Sequence, residues 1–498
     1  MENFSLKSLK SGTDIRGTAT GSNITLTDEA VTLITRAFVK WLSEKYNKDK
    51  FTIAVSNDSR VSAKRILNCV RLGVLSSGSD LVYTGLSSTP SMFMLLKSSF
   101  GCDASIMITA SHLPSDRNGL KFFTPEGGLD GKDIDEILRI AESGDFLSGE
   151  GEYSEKPFMD EYSHMLVEKV RESCGKDKPL LGKKIIVDAG NGAGGFFAEK
   201  VLMPLGADVS GSQFLEPDGK FPNHIPNPED AGAIESLSKA VIKNKADLGI
   251  IFDTDVDRAG AVNFDGKEIN RNRLIALLSA ILLKDKAGVI VTDSVTSDGL
   301  TKFIESLGGK HLRYKRGYKN VIDKSKELND SGVYSPLAVE TSGHAAFKEN
   351  YFLDDGAYLV TKLLICIANL KEGQNLTDMI SSLEEPAEGA EVRITFNKDS
   401  RDFKAEGKGI IEDLKKFADN NKDISLAPDN YEGARINFAS GCGDGWTLVR
   451  MSVHDPVMPI NFESRVLGGN KKMAEKLFNI LKGYAFLDIT NLKNFITG

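Results

Sequence analysis

The chain has 498 residues, 41% of them hydrophobic and 27% charged, which is more than one hydrophobic core ordinarily serves and implies several globular domains. Its formal charge of −8 argues against a dedicated nucleic-acid binder, which carries a basic patch or stripe. Cys69, Cys102, Cys174, Cys366 and Cys442 stand far apart without paired spacing, so they suggest neither a disulfide framework nor a zinc site. They are expected to be buried small hydrophobes.

In chain order, "MENFSLKSLK" lacks the apolar run of a signal peptide. "FTIAVSNDSR" from Phe51 reads as a buried strand opening into a polar loop. In "DASIMITASHLPSDRNGLKFF", an apolar strand from about Ser105 to Ile108 ends in Thr109, Ala110, Ser111 and His112, with Pro114 and Gly119 enforcing a loop. "GDFLSGEGEYSEKP" is a Gly/Ser/Glu-rich linker. Beyond it, "KKIIVDAGNG", "ADLGIIFDTD" and "AGVIVTDSVTS" repeat the strand-into-loop pattern, with amphipathic stretches following at least three of the four such strands. "LIALLSAILL" from Leu274 is too short to span a bilayer. A second linker, "LEEPAEGAEV", surrounds Pro386. The expected architecture is therefore α/β, with three similar mixed units over 1–152, 153–266 and 267–385. Residues 386–498 differ in texture: "EVRITF", "ARINFAS" and "WTLVRMSV" alternate, which predicts a smaller α+β domain. A soluble protein of a reducing, cytoplasmic compartment follows, with no membrane or nucleic-acid partner.

"GIIFDTDVDRAG" places Asp253, Asp255 and Asp257 at every second position before Arg258. If a strand runs into it, these side chains share one face at about 7 Å spacing, and their charge calls for a counter-ion. An EF-hand loop starting at Asp253 would want Gly and Glu where Arg258 and Phe264 stand. A haloacid-dehalogenase loop also begins with two alternating aspartates, but normally continues to Thr or Val where this chain has Asp257. A solvated loop at a strand end is the plain alternative. A hard divalent cation suits the set best, since Mg²⁺ takes oxygen ligands and leaves positions for water and a phosphate oxygen. Ser111 is a candidate phosphate carrier: a serine hydroxyl needs a neighbouring base or metal to act, and His112 and Lys121 lie close in sequence.

The chain resembles the α-D-phosphohexomutases, most closely the phosphoglucomutase/phosphomannomutase branch. The resemblance rests on "GTDIRG" at Gly12 to Gly17, "TASHLP" at Thr109 to Pro114, "FPNHIPNPE" from Phe221, "DTDVDR" at Asp253 to Arg258, "ETSGH" at Glu340 to His344, and "RMSVHDP" at Arg450 to Pro456. It implies four domains around a central cleft, the fourth TATA-binding-protein-like. It further implies that Ser111 holds a transferable phosphoryl group completing a Mg²⁺ site with Asp253, Asp255 and Asp257. By the same resemblance Lys121 does acid/base work, Arg16 neighbours the phosphate, and Arg258 contacts the sugar or its phosphate; His112, next to Ser111 in sequence, is counted with the catalytic residues. Gly317, Tyr318 and Lys319 would discriminate two sugar poses, Glu340 and Ser342 would grip hydroxyls with His344 ending that loop, and Arg450 and Ser452 would hold the non-reacting phosphate.

The implied activity interconverts hexose 1-phosphate and 6-phosphate of glucose or mannose, with hexose 1,6-bisphosphate as intermediate and activator, in a monomer or small homo-oligomer. Leu113 stands where Asn is usual after "TASH", Arg316 where Thr is common, and Val453 and His454 replace a Thr and Glu pattern. His454 could still donate to phosphate, so binding is expected to weaken as pH rises through its titration. These departures keep phosphoglucosamine mutase and a catalytically impaired sugar-phosphate binder as rivals. "DAGNGAGG" also fits G-x-G-x-x-G through Gly190, Gly192 and Gly195, a weak dinucleotide-binding signal.

Overall fold

In the computed structural model, which describes residues 5–428, 430–452 and 455–498, the chain forms two units. One is built from the chain up to Asn270 together with Ser342–Asp378, the other from Arg271–Thr341 and the chain from Met379 onward.

The first unit contains two sheets. Strands β1 (Lys10–Ser11), β2 (Asp14–Thr18), β3 (Thr52–Asn57), β4 (Asp80–Leu86), β5 (Ala104–Ile108), β6 (Arg117–Thr124), β7 (Gly127–Gly128) and β8 (Tyr153–Glu155) run in the order β1-β2-β6-β5-β3-β4-β8, with β7 against β6. β3 pairs parallel with β4 and β5, and parallel neighbours need crossovers, here α2 (Ala63–Ser76) and α3 (Thr89–Lys97). Every residue of β5 is buried, which is why it reads as a continuous apolar run rather than an alternation. The helices α1 (Asp28–Tyr46) and α4 (Gly131–Ser143) join α2 in one apolar core with these strands. Thr27 starts α1 by accepting from the Ala30 N–H, and Asp130 and Asp133 form a capping box at the start of α4. Antiparallel β5 and β6 are joined by the loop that carries Ser111.

The second sheet has the order β12-β11-β10-β9, from β9 (Ile185–Asp188), β10 (Leu248–Phe252), β11 (Ala259–Asn263) and β12 (Glu268–Ile269). Helix α5 (Met159–Cys174) precedes it in sequence and α6 (Ala231–Asn244) connects β9 to β10, packing Leu237 and Val241 against Ile186, Ile251 and Val262. The glycines of "DAGNGAGG" serve chain packing. A Cβ on Gly192 would stand 2.7 Å from the Thr254 carbonyl oxygen, and one on Gly195 2.2 Å from that of Leu215. A segment that composition groups with 267–385 returns to this unit: the helix Gly356–Ala368 packs on α5, and Tyr162 donates to Asp355 Oδ1 at 2.8 Å.

In the other unit, β13 (Val289–Thr292) pairs parallel with β14 (Lys310–Arg313) and β15 (Leu337–Val339). The helix Arg271–Leu283 contains the apolar run from Leu274 and is largely buried. Among the described residues no helix is long and apolar enough to cross a membrane. The C-terminal part is an antiparallel sheet in which Glu388–Phe396 lies along Val457–Ser464, followed outward by Gly445–Val449, Ala434–Phe438 and Ile424–Leu426. The helices Phe403–Asp419 and Gly469–Leu481 supply Ile410, Leu414, Met473 and Leu477 to its core. The architecture is thus mixed α/β with a sheet-rich C-terminal domain. One expectation is corrected: Cys69 is buried, but the other four cysteines are partly exposed.

Candidate active site

Ser111 follows the buried end of β5 and adopts a left-handed backbone with φ of 52°, a conformation uncommon for a residue with a Cβ. Its side chain is buried. Oγ donates to Asp253 Oδ2 at 3.1 Å and accepts from Arg258 Nη2 at 3.1 Å, with His112 Nδ1 3.4 Å away. Arg258 thereby joins two loops that are far apart in sequence. Its Nε also bonds Asp253 Oδ2 at 3.1 Å, and Nη2 donates to His112 Nδ1. From the segment before α6, Asn227 and Glu229 meet Nη1 at 3.4 and 3.9 Å.

The three aspartates converge, but not as a strand face. β10 ends at Phe252, and residues 253–258 form the tight connection to antiparallel β11, with the Asp253 N–H bonded to the Arg258 carbonyl. Val256, a β-branched residue, stands at φ of 66° and is wholly buried. That reversal, rather than a two-residue period, gathers one oxygen from each of Asp253, Asp255 and Asp257 within 4.8 Å of one another. Thr89, opening α3, secures the loop from outside through Oγ1 to Asp255 Oδ2 at 2.5 Å and N–H to its carbonyl at 2.8 Å.

Lys121 on β6 reaches the cluster, with Nζ 2.5 Å from Asp257 Oδ2 and 3.3 Å from Asp255 Oδ2. With all three carboxylates ionised, they face two cations, Lys121 and Arg258, and one negative charge is left over. Asp255 Oδ1 and Asp257 Oδ1 are buried without a hydrogen-bond partner among the described residues. Burial, and then the charges of Asp257 and Asp255, push Asp253 well above the usual carboxylate range. Asp257 is held below it: burial opposes its charge, but Lys121, His344 and Arg258 outweigh that. Buried oxygens short of donors and one charge short of neutrality fit a hard divalent cation. The residues that would hold one are therefore these aspartates.

Burial, then Arg258 and Arg16, bring His112 down to about 3, so it is neutral and accepts the Arg258 proton donor at Nδ1. Arg16, on β2 beside β6, pairs with Asp14 at 2.8 Å. His344 belongs to the same unit, its backbone bridging to that of Arg258. Burial disfavours its charge, yet its ion pair with Asp354 and the nearby Asp257 raise it to about 9. Ser342 is buried and its Oγ has no hydrogen-bond partner among the described residues.

The other sequence candidates lie in the second unit. Glu340 follows β15 and accepts the Gly317 N–H at 2.6 Å, which fixes the start of the helix Tyr318–Asp330. Lys319 turns onto its own helix, 2.6 Å from Asp323. Arg316 donates its backbone N–H to Glu432 at 3.1 Å. Arg450 is buried, and its Nε has no hydrogen-bond partner among the described residues. Burial lowers it despite Glu432, with Arg316 adding to the lowering. Ser452 closes a turn, its N–H bonded to the Val457 carbonyl. Val453 and His454 lie outside the described residues. Asp354 and Thr89 escaped the sequence reading because each approaches the site from a separate element, whereas Asp14 and Glu229 lie within the quoted motifs and were not singled out there.

Three family models match in succession, described as phosphoglucomutase/phosphomannomutase alpha/beta/alpha domains I, II and III, over residues 8–148, 160–266 and 270–386. A phosphoglucomutase of Neisseria meningitidis is 30% identical over 455 residues, covering 91% of this chain and 92% of its own. A phosphomannomutase/phosphoglucomutase of Pseudomonas aeruginosa is 30% identical over 456 residues, with 91% and 90% covered. Among solved structures, a phosphoglucomutase/phosphomannomutase family protein of Burkholderia thailandensis superposes with a TM-score of 0.79 at 27% identity, covering 96% of this chain and 97% of its own.

Proposed function

Since the chain belongs to the phosphoglucomutase/phosphomannomutase family, we propose that it interconverts the 1- and 6-phosphates of glucose or mannose with Ser111 as phosphoryl carrier. The observation that carries this is the setting of Ser111 Oγ, 3.1 Å from both Asp253 Oδ2 and Arg258 Nη2 at the end of a buried strand. A guanidinium beside the transferring group stabilises the charge that spreads over phosphoryl oxygens during transfer.

In the proposed reaction the bond from phosphorus to Ser111 Oγ breaks as a bond to a sugar hydroxyl oxygen forms. The ammonium of Lys121 gives a proton to the leaving serine oxygen and regains one from the sugar hydroxyl. Ser111 is left as a free hydroxyl donating to Asp253. The hexose bisphosphate turns over and returns its other phosphoryl group by the reverse exchange, so the sugar leaves with its phosphate moved. Free hexose 1,6-bisphosphate would recharge a serine that has lost its phosphate to water. Asp253, Asp255 and Asp257, with a phosphate oxygen on Ser111, would hold Mg²⁺, which when bound neutralises charge on the transferring group. Neutral His112 accepts from Arg258 and keeps that fork aimed at Ser111.

Glu340 and Ser342 are proposed to bind sugar hydroxyls, since two carboxylate oxygens accept from adjacent hydroxyls in either sugar orientation. His344, Gly317 and Lys319 would contribute to sugar recognition. Arg450, Ser452 and His454 would bind the phosphate that is not reacting, which suits a guanidinium fork. The boundaries at 152, 266 and 385, a cytoplasmic setting, and a monomer or small homo-oligomer complete the proposal.

The test is conversion of glucose 1-phosphate, mannose 1-phosphate and glucosamine 1-phosphate to their 6-phosphates, with Mg²⁺ and a trace of hexose 1,6-bisphosphate, by wild type and Ser111→Ala. Turnover of the glucose or mannose substrate that collapses in the variant is expected. Turnover of glucosamine phosphate alone would reassign the substrate, and binding without exchange would make the protein a sugar-phosphate binder.

A further inference from the structure

Arg60, just beyond β3, takes no part in the mechanism above, yet its side chain and that of Asp58 are wholly buried. All five guanidinium N–H groups are in use. Nε donates to Asp58 Oδ2 at 3.1 Å, Nη1 to the carbonyls of Pro114 at 2.6 Å and Arg117 at 2.9 Å, and Nη2 to those of Leu113 at 2.6 Å and Ser111. Four carbonyls, three in the loop and one at the first residue of β6, thus converge on one fork. The ring of Phe221 lies 5.4 Å from the guanidinium carbon, adding a cation–π contact.

The opposite edge of Ser111 returns to the same ion pair. Its N–H donates to Thr109 Oγ1 at 2.9 Å, and the Thr109 hydroxyl donates to Asp58 Oδ2 at 2.7 Å. The N–H and the C=O of Ser111 are therefore both tied to Asp58 and Arg60, across a residue whose φ of 52° is sparsely populated. Such a conformation persists where its surroundings over-determine it. Lysine could not reproduce this, since its ammonium has three donors and no planar fork.

We infer that Arg60, aligned by Asp58, is a positioning residue for phosphoryl transfer, aiming Ser111 Oγ by gripping its loop without touching the substrate. This rests on the reading of Ser111 as phosphoryl carrier. The full-length protein is charged with radiolabelled hexose 1,6-bisphosphate in wild type, Ser111→Ala, Arg60→Lys and Thr109→Val. Turnover is then expressed per labelled serine, and label reaching hexose monophosphate is compared with label released to water as inorganic phosphate. Molecules that fail to fold take no label and do not enter either ratio.

A misplacement of about 1 Å costs on the order of 100-fold in rate. Turnover per labelled site is therefore expected to fall roughly 10- to 100-fold in Arg60→Lys and by a smaller factor in Thr109→Val. KM for the sugar should stay within about threefold, and a larger share of label should go to water. If Arg60→Lys takes no label, Thr109→Val, which removes one hydroxyl and leaves Arg60 in place, decides. Both ratios within about twofold of wild type in Thr109→Val, or in a labelled Arg60→Lys, overturn the inference. Label on wild type that survives in Ser111→Ala overturns instead the carrier reading beneath it.

Discussion

Adding Mg²⁺ to the metal-free protein should expel protons, by an amount set by the charge count around Asp253. With Asp253, Asp255 and Asp257 ionised against Lys121 and Arg258, the cluster carries one net negative charge; with Asp253 protonated it carries none. Burial and its two neighbouring carboxylates push Asp253 upward, so the metal-free cluster holds up to one proton near neutrality. A carboxylate must lose that proton to bind a cation. Calorimetric titration in two buffers of different ionisation enthalpy reads the stoichiometry directly. Release should approach one proton per site at mildly acidic pH and decline as pH rises. Over the same window the binding constant should gain up to about tenfold per pH unit, or roughly 1.4 kcal/mol. Asp253→Asn should bind more weakly and without release. Tight Mg²⁺ binding to wild type with no proton release at any pH, or release that persists unchanged in Asp253→Asn, would refute the reasoning.

Arg258→Met should leave Asp253 buried without its main partner and destabilise the protein by roughly 3 to 5 kcal/mol in urea unfolding, with Asp253→Asn in the same chain recovering part of the loss. His344 is raised to about 9 from an ordinary 6.5, so its contribution to stability is fully present below about pH 6.5 and is lost as pH climbs through 9. The shift corresponds to about 3 kcal/mol; unfolding measured between pH 6 and 10 should show this decline in wild type and a flatter profile in Asp354→Asn. Arg450→Ala should raise KM for the sugar phosphate by roughly 10- to 100-fold with a smaller change in kcat, as befits a charged contact to a phosphate that does not react; steady-state kinetics with either isomer checks it.

Much of the candidate site could be read from the chain because its chemistry sits in contiguous runs. Ser111 and His112 follow one apolar strand, and the aspartates with Arg258 follow another, so strand ends and residue types identified them together. The alternation at Asp253, Asp255 and Asp257 was misleading as geometry, because Val256 reverses the backbone where a strand would continue. Asp354 and Thr89 were invisible for a different reason: each is an ordinary residue locally and matters only through an approach that tertiary folding creates. Arg60 closed a stretch that reads simply as a strand opening into a loop, and its four carbonyl partners lie more than fifty positions later. The strands of the C-terminal sheet were legible from alternation, as along Glu388–Phe396 where exposed and less exposed positions interleave.

The first unit is discontinuous in sequence, since Ser342–Asp378 completes a body whose remainder ends at Asn270. On a ribosome, Ser111, the aspartates and Arg258 all emerge before the intervening Arg271–Thr341 is made, whereas His344, Asp354 and the helix over α5 come after it. At about 5 to 20 residues per second that interval is roughly 4 to 14 s. During it the nascent chain bears the acidic loop without the His344–Asp354 pair and with the apolar side of α5 uncovered, a surface suited to chaperone capture. Truncation before Ser342 would leave this state permanent, so such fragments should aggregate or be degraded instead of surviving as smaller working enzymes.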